Sequence, residues 1–89
     1  MTAQELKNYN AIKEQYPLAM LLFAVGDFYE AYFEDAKNLA KVTQITLTKQ
    51  NDGTPMAGFP SHALGTILPK IVRCDYRVII CEFQLTMNI

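Results

Sequence analysis

Hydrophobic and polar positions along this chain follow two rhythms, one of helices and one of strands. Thr2-Ala-Gln-Glu5 has the form of a capping box, and Leu6, Tyr9, Ile12 and Tyr16 follow at every third or fourth position, the stripe of one helix face. The spacing predicts a first helix to about Tyr16, stopped by Pro17. Leu18 to Val25 is an unbroken apolar run of strand length, the pattern of a central strand covered on both faces, and Gly26 closes it. Asp27 to Glu30 has capping-box spacing again, so a second helix is expected to begin at Asp27, with Tyr29, Phe33, Ala36 and Ala40 on its inner face.

Beyond that helix, Ile45-Thr46-Leu47-Thr48 alternates apolar with β-branched polar residues, and Asn51-Asp52-Gly53 is a turn signal. A strand is therefore expected within Val42 to Lys49. Pro55 to Pro60 is rich enough in Pro and Gly to read as a packed loop that plugs Met56 and Phe59 into the core. Ser61 should cap a third helix with Leu64, Ile67, Leu68, Ile71 and Val72 on its apolar stripe and a kink or break at Pro69. Tyr76 to Phe83 reads as the last strand, and Val78 to Cys81, apolar throughout, as a central one. Three strands and a possible fourth, with about three helices, make an α/β fold: a mixed β-sheet flanked by helices.

Composition narrows the picture. Eighty-nine residues suffice for a single domain, residues 1–89, and 51% hydrophobic against 19% charged residues is a folded composition. Eight basic and nine acidic residues leave a net charge of -1, which excludes the strongly basic footprint of a tight, self-sufficient nucleic-acid binder. No apolar run approaches the roughly 20 residues of a membrane span, and Met1 to Glu5 carries no basic leader. A cytoplasmic protein without membrane partners is expected. Cys74 and Cys81, with no His or Cys at metal-binding spacing, read as reduced core thiols.

Little of the chain suggests catalysis. The four glycines form no phosphate-cradling loop, so no cofactor is expected, and the lone His62 beside Ser61 fits a helix start better than a nucleophile pair. Asp27, Glu30, Glu34 and Asp35 would share one face of the expected second helix. That face would be solvated, or could hold a hard cation in a metal-dependent nuclease using Asp27, Glu30 and Glu34. The most informative segment is Gly26-Asp27-Phe28-Tyr29-Glu30, which puts an aromatic and a carboxylate on a strand-to-helix turn, where ligands commonly bind. The same residues also suit a plain cap with Phe28 folded onto the sheet.

Four blocks carry a resemblance. Leu22 to Lys37, Leu47 to Lys49, Pro55 to Ala63 and Tyr76 to Glu82, in this order and spacing, are similar to the N-terminal mismatch-recognition domain of the MutS DNA mismatch repair family. The resemblance implies that Phe28 and Glu30 form the family's Phe-x-Glu reader of mispaired DNA. Phe28 would enter the minor groove and stack on a mispaired or unpaired base, and Glu30 would hydrogen-bond the edge of that base, as a protonated carboxyl where the partner atom is an acceptor such as a purine N7. Lys49 would neutralise a phosphate. Double-stranded DNA with a defect is the implied partner, together with other domains or proteins of the repair machinery. ATP and Mg²⁺ would be held by other domains of a full-length relative, so this chain is not expected to be an enzyme. Ala24 and Val25 stand where the family commonly has Arg-Met, and Gln50 stands where a basic residue is usual. An interaction module that keeps the fold without binding DNA, with Phe28 as its anchor, is the alternative.

Overall fold

A computed structural model describes residues 1–82. Its elements in chain order are α1 (Ala3–Gln15), β1 (Ala19–Val25), β2 (Phe28–Tyr32), α2 (Phe33–Thr43), β3 (Thr48–Lys49), β4 (Pro55–Pro60), a 3₁₀ turn (Ser61–Ala63), α3 (Leu64–Arg73) and β5 (Arg77–Cys81). The expectations for Phe83 and for residues 85–89 lie outside the described residues.

The five strands form one mixed sheet in the order β3-β4-β2-β1-β5. β1 pairs antiparallel with β2 and parallel with β5, and β4 pairs antiparallel with both β2 and β3. Side chains of a strand alternate between faces, and β1 divides its apolar run accordingly. Met20 and Leu22 join Ala36 and Leu39 of α2 and Ile67 and Ile71 of α3 in one core. Ala19, Leu21 and Phe23 join Tyr9 of α1, Tyr32 and Cys81 in the other. A strand covered on both faces has no need of polar positions, which is why Leu18 to Val25 has none.

The first capping box forms as expected: Thr2 Oγ1 accepts from the Glu5 N–H at 3.0 Å, and Glu5 Oε1 accepts from the Thr2 N–H at 2.9 Å. Helix α1 is fastened to the sheet by Asp35, which is 3% exposed. This carboxylate on α2 accepts from Lys13 Nζ at 2.8 Å, the Tyr9 hydroxyl at 3.1 Å and the Leu21 N–H at 3.1 Å. One side chain thus joins α1, α2 and β1. Asp35 is therefore not part of a solvated acidic face.

Several expectations need correction. Asp27 does not start a helix; the helix begins at Phe33, after strand β2. The switch from strand to helix needs no loop because Phe33 takes a φ of 56°, left-handed for an aromatic residue, and its ring packs 5.3 Å from that of Tyr9. Pro55 to Pro60 is a strand rather than a loop, since its two prolines fall at the strand ends, where a missing N–H is tolerated. The strand expected within Val42 to Lys49 shrinks to Thr48–Lys49, because α2 runs on to Thr43. Ser61 opens a 3₁₀ turn and makes no side-chain cap. The α3 helix continues past Pro69, whose residue four positions earlier, Gly65, is exposed, so water can reach the carbonyl left without its donor. Among the described residues β5 lies at the sheet edge, with Ile80 half exposed, rather than at the centre. Cys74 is exposed and only Cys81 is a core thiol; both are free.

Candidate functional site

The site is built on the β1–β2 hairpin. Val25 and Phe28 are cross-strand partners, which leaves Gly26 and Asp27 as a two-residue loop. Gly26 takes a φ of 58°, a conformation glycine adopts freely and a tight hairpin requires. The Asp27 carbonyl accepts from the Ser61 N–H at 2.7 Å, so the loop is also tied to the end of β4.

Strand geometry changes what Phe28 and Glu30 can do together. On a helix, residues two apart point in widely different directions; on a strand they share a face. Phe28, Glu30 and Tyr32 therefore stand in one row, running from open to closed. Phe28 is 48% exposed, Glu30 is half-buried and Tyr32 is 2% exposed. Opposite them on β4 stand Pro60, Gly58 and Met56. Phe28 makes no ring contact among the described residues, whereas Tyr32 is held between aromatic neighbours, 5.7 Å from Phe23 and 6.3 Å from Tyr9.

The Tyr32 hydroxyl donates to Glu30 Oε1 at 2.7 Å. Burial, and then this bond to a carboxylate, raise the Tyr32 phenol well above its ordinary value of 10.0. Gly58 makes room for the arrangement: a Cβ there would stand 3.0 Å from the Tyr29 carbonyl oxygen and 3.3 Å from Glu30 Cγ. An open cleft of about 560 Å³ adjoins the row, lined by Phe28, Glu30, Met56 and Gly58 and by Gln44, Ile45, Thr46 and Thr48 of the connection leading into β3. No Lys or Arg lines it.

Lys49 is not part of this cleft. It pairs with Pro55, while Phe28 pairs with Pro60 at the other end of β4, a separation of about 17 Å along the strand. Lys49 lines a different cleft with Met1, Thr2, Glu5, Gln50, Asn51 and Asp52. There the N-terminal ammonium donates to Asp52, and this bond with those from Thr54 holds the Asp52 carboxyl well below the usual carboxylate range. His62 is exposed in the 3₁₀ turn. Asp27, Glu30 and Glu34 are not gathered: among the described residues no three His, Cys, Asp or Glu side chains lie close enough to share a metal ion. No described helix is long and apolar enough to cross a membrane.

Tyr32 and Gly58 escape the sequence reading, which takes the first in a helix and the second in a loop. The signal for Tyr32 is the period of two in Phe28-x-Glu30-x-Tyr32, visible only once the segment is read as a strand.

Comparison with known proteins agrees with this architecture. The family model described as MutS domain I matches residues 4–88. Proteins named DNA mismatch repair protein MutS from Cytophaga hutchinsonii and Thermotoga neapolitana are each 56% identical to the chain, over 81 and 77 residues. That from Christiangramia forsetii is 52% identical over 80 residues. Each alignment covers 86% of this chain, and the chain spans about a tenth of the length of these curated relatives. With the family model matched over nearly its whole length, the chain belongs to the MutS domain I family.

Proposed function

We propose that the chain is a DNA-binding module of mismatch repair that detects mispaired or unpaired bases, with Phe28 as a minor-groove wedge and Glu30 as the partner of the base edge. The observation that carries this reading is the placement of Phe28: a half-exposed aromatic ring without a ring partner among the described residues, beside a two-residue hairpin loop, with a carboxylate on the same strand face.

The physics suits detection of defects. A wedge entering the minor groove must unstack a base step at a cost of about a few kcal/mol. A mismatch or an unpaired base has already lost part of that energy, so the same insertion costs less there. Base sequence is not read; deformability is. Glu30 adds discrimination in two ways. Its carboxyl hydrogen-bonds the displaced base edge, and its charge disfavours close approach to an intact duplex lined with phosphates. Lys49 serves as a phosphate contact remote from the wedge. The reading entails a cytoplasmic protein that acts with further domains or proteins of the repair machinery, and it assigns no reaction and no cofactor to this chain.

Affinity should be low. With a net charge of -1 and no cation lining the cleft, non-specific binding is expected near 10⁻⁴ M, roughly the weak end of the usual range. The same lack of cations favours a second reading, in which Phe28 anchors a protein partner. Titration at low salt with a duplex carrying one unpaired thymine, and with its fully paired control, separates the two. Preference for the defective duplex that disappears in Phe28→Ala, with the fold retained, supports the DNA reader. Equal or absent binding to both duplexes overturns it in favour of the interaction module.

A further inference from the structure

We infer that Tyr32 is a positioning residue that fixes the Glu30 carboxylate in the orientation in which it meets its ligand. The inference rests on the reading of Phe28 and Glu30 as the DNA-contacting pair for its functional half. Its structural half stands on the free protein.

Glutamate on a strand that emerges from the core ordinarily samples many rotamers, and that freedom is lost when it binds. Here the loss occurs on folding instead. The Tyr32 ring is 2% exposed and wedged among Phe23 and Tyr9, so its hydroxyl has a fixed place. From that place it donates to Glu30 Oε1 at 2.7 Å. The two residues stand two apart on one strand face, and Gly58 across the ladder leaves space for the Glu30 stem. With Oε1 engaged by a donor and no further hydrogen bond to this carboxylate among the described residues, Oε2 is the oxygen left to a ligand. A rigid group supporting a contacting group in this way is how a binding constellation keeps its geometry. Tyr32 touches no ligand itself; it acts through Glu30.

The test combines two readouts on wild type, Tyr32→Phe, Glu30→Gln and Glu30→Ala. Tyr32→Phe keeps the ring and removes only the hydroxyl, and Glu30→Gln keeps an oxygen that can accept from it. The first readout is ¹³C NMR of the free protein, following Glu30 side-chain order and its carboxyl resonance. Tyr32→Phe is expected to release Glu30 into rotamer averaging, while Glu30→Gln keeps the side chain ordered. The second is the affinity ratio for a duplex with one unpaired thymine over its paired control. Tyr32→Phe is expected to lower this ratio about three- to tenfold, the cost of immobilising one rotamer-rich side chain on binding. The same change made in Glu30→Ala should have no further effect, because the route through Glu30 is gone. Unaltered Glu30 order in Tyr32→Phe overturns the inference, as does an undiminished ratio. A wild-type protein that shows no preference between the duplexes sinks the DNA reading instead, and the NMR result then decides the positioning role by itself.

Discussion

Asp35 shows how much of this domain depends on one residue. Its carboxylate collects donors from α1 and β1, and Lys13, which bonds it, keeps only a quarter of its side chain exposed. Truncating one member of a buried ion pair leaves the other charge uncompensated, at a cost of about 3–5 kcal/mol. Asp35→Ala is therefore expected to destabilise the domain by an amount in that range, read as a lowered urea midpoint with an unchanged dependence on denaturant. Phe28 is the opposite case. It is half exposed and without a ring partner among the described residues, so Phe28→Ala should change stability by no more than about 0.5 kcal/mol. That contrast lets a binding defect in the Phe28 variant be read as lost contact and not lost fold.

At the scale of elements, the hairpin is the part whose geometry cannot be relaxed. An alanine Cβ at Gly26 would touch nothing within 4 Å, yet φ at this position is 58°, so the cost of Gly26→Ala is conformational alone, about 1–2 kcal/mol. Chemical denaturation should show that loss, and Gly26→Asn, which tolerates the left-handed region better, should show less. The hairpin is also where sequence and structure part company. Helix α1 and strand β1 are legible because their patterns have one reading: a stripe every three or four residues, and an apolar run too short for a buried helix. Asp27-x-x-Glu30 has two readings, since the spacing of a capping box also fits a turn residue followed by a strand. Tertiary pairing with β1 and β4 selects the strand. Pro55 to Pro60 misleads for a related reason. Its prolines mark the ends of a strand, and its glycine is there to accommodate Glu30, so residues that usually signal a loop instead serve a crowded sheet face. Phe28 and Glu30 are legible as a motif. The support that Tyr32 gives them is not, because it depends on a strand periodicity that the capping-box reading conceals.

For the whole molecule, the two buried phenols set an alkaline limit. Burial raises both Tyr9 and Tyr32 above the ordinary value of 10.0, with Asp35 adding to the first and Glu30 to the second. A raised value means that the fold holds the proton more tightly than the unfolded chain does. The stabilisation is then complete below pH 10 and is lost as pH rises from there towards the folded value. Stability should fall above pH 10 by on the order of 1 kcal/mol per pH unit for each phenol, and Tyr32→Phe should make the decline shallower in urea titrations from pH 9 to 12. Charge sets a second whole-molecule expectation. Because Lys49 lies at the far end of β4 from Phe28, Lys49→Ala should reduce the slope of log affinity on log salt by about one without altering the preference for a defective duplex. A binding series over salt concentration measures both.

The pairing register finally bears on the order in which this sheet assembles. Val25 finds Phe28 across a two-residue loop, whereas Ala19 must wait for Arg77, a closure spanning about 60 residues with a correspondingly larger entropy barrier. Local pairing is quick and distant pairing slow, so the wedge-bearing hairpin is expected to take shape early and β5 to dock late. Amide exchange would show the same hierarchy in reverse, with β5 opening before the Phe28 hairpin, which survives in the partly open state. The part of the domain that meets its ligand would then keep its shape while the β5 margin beside it breathes.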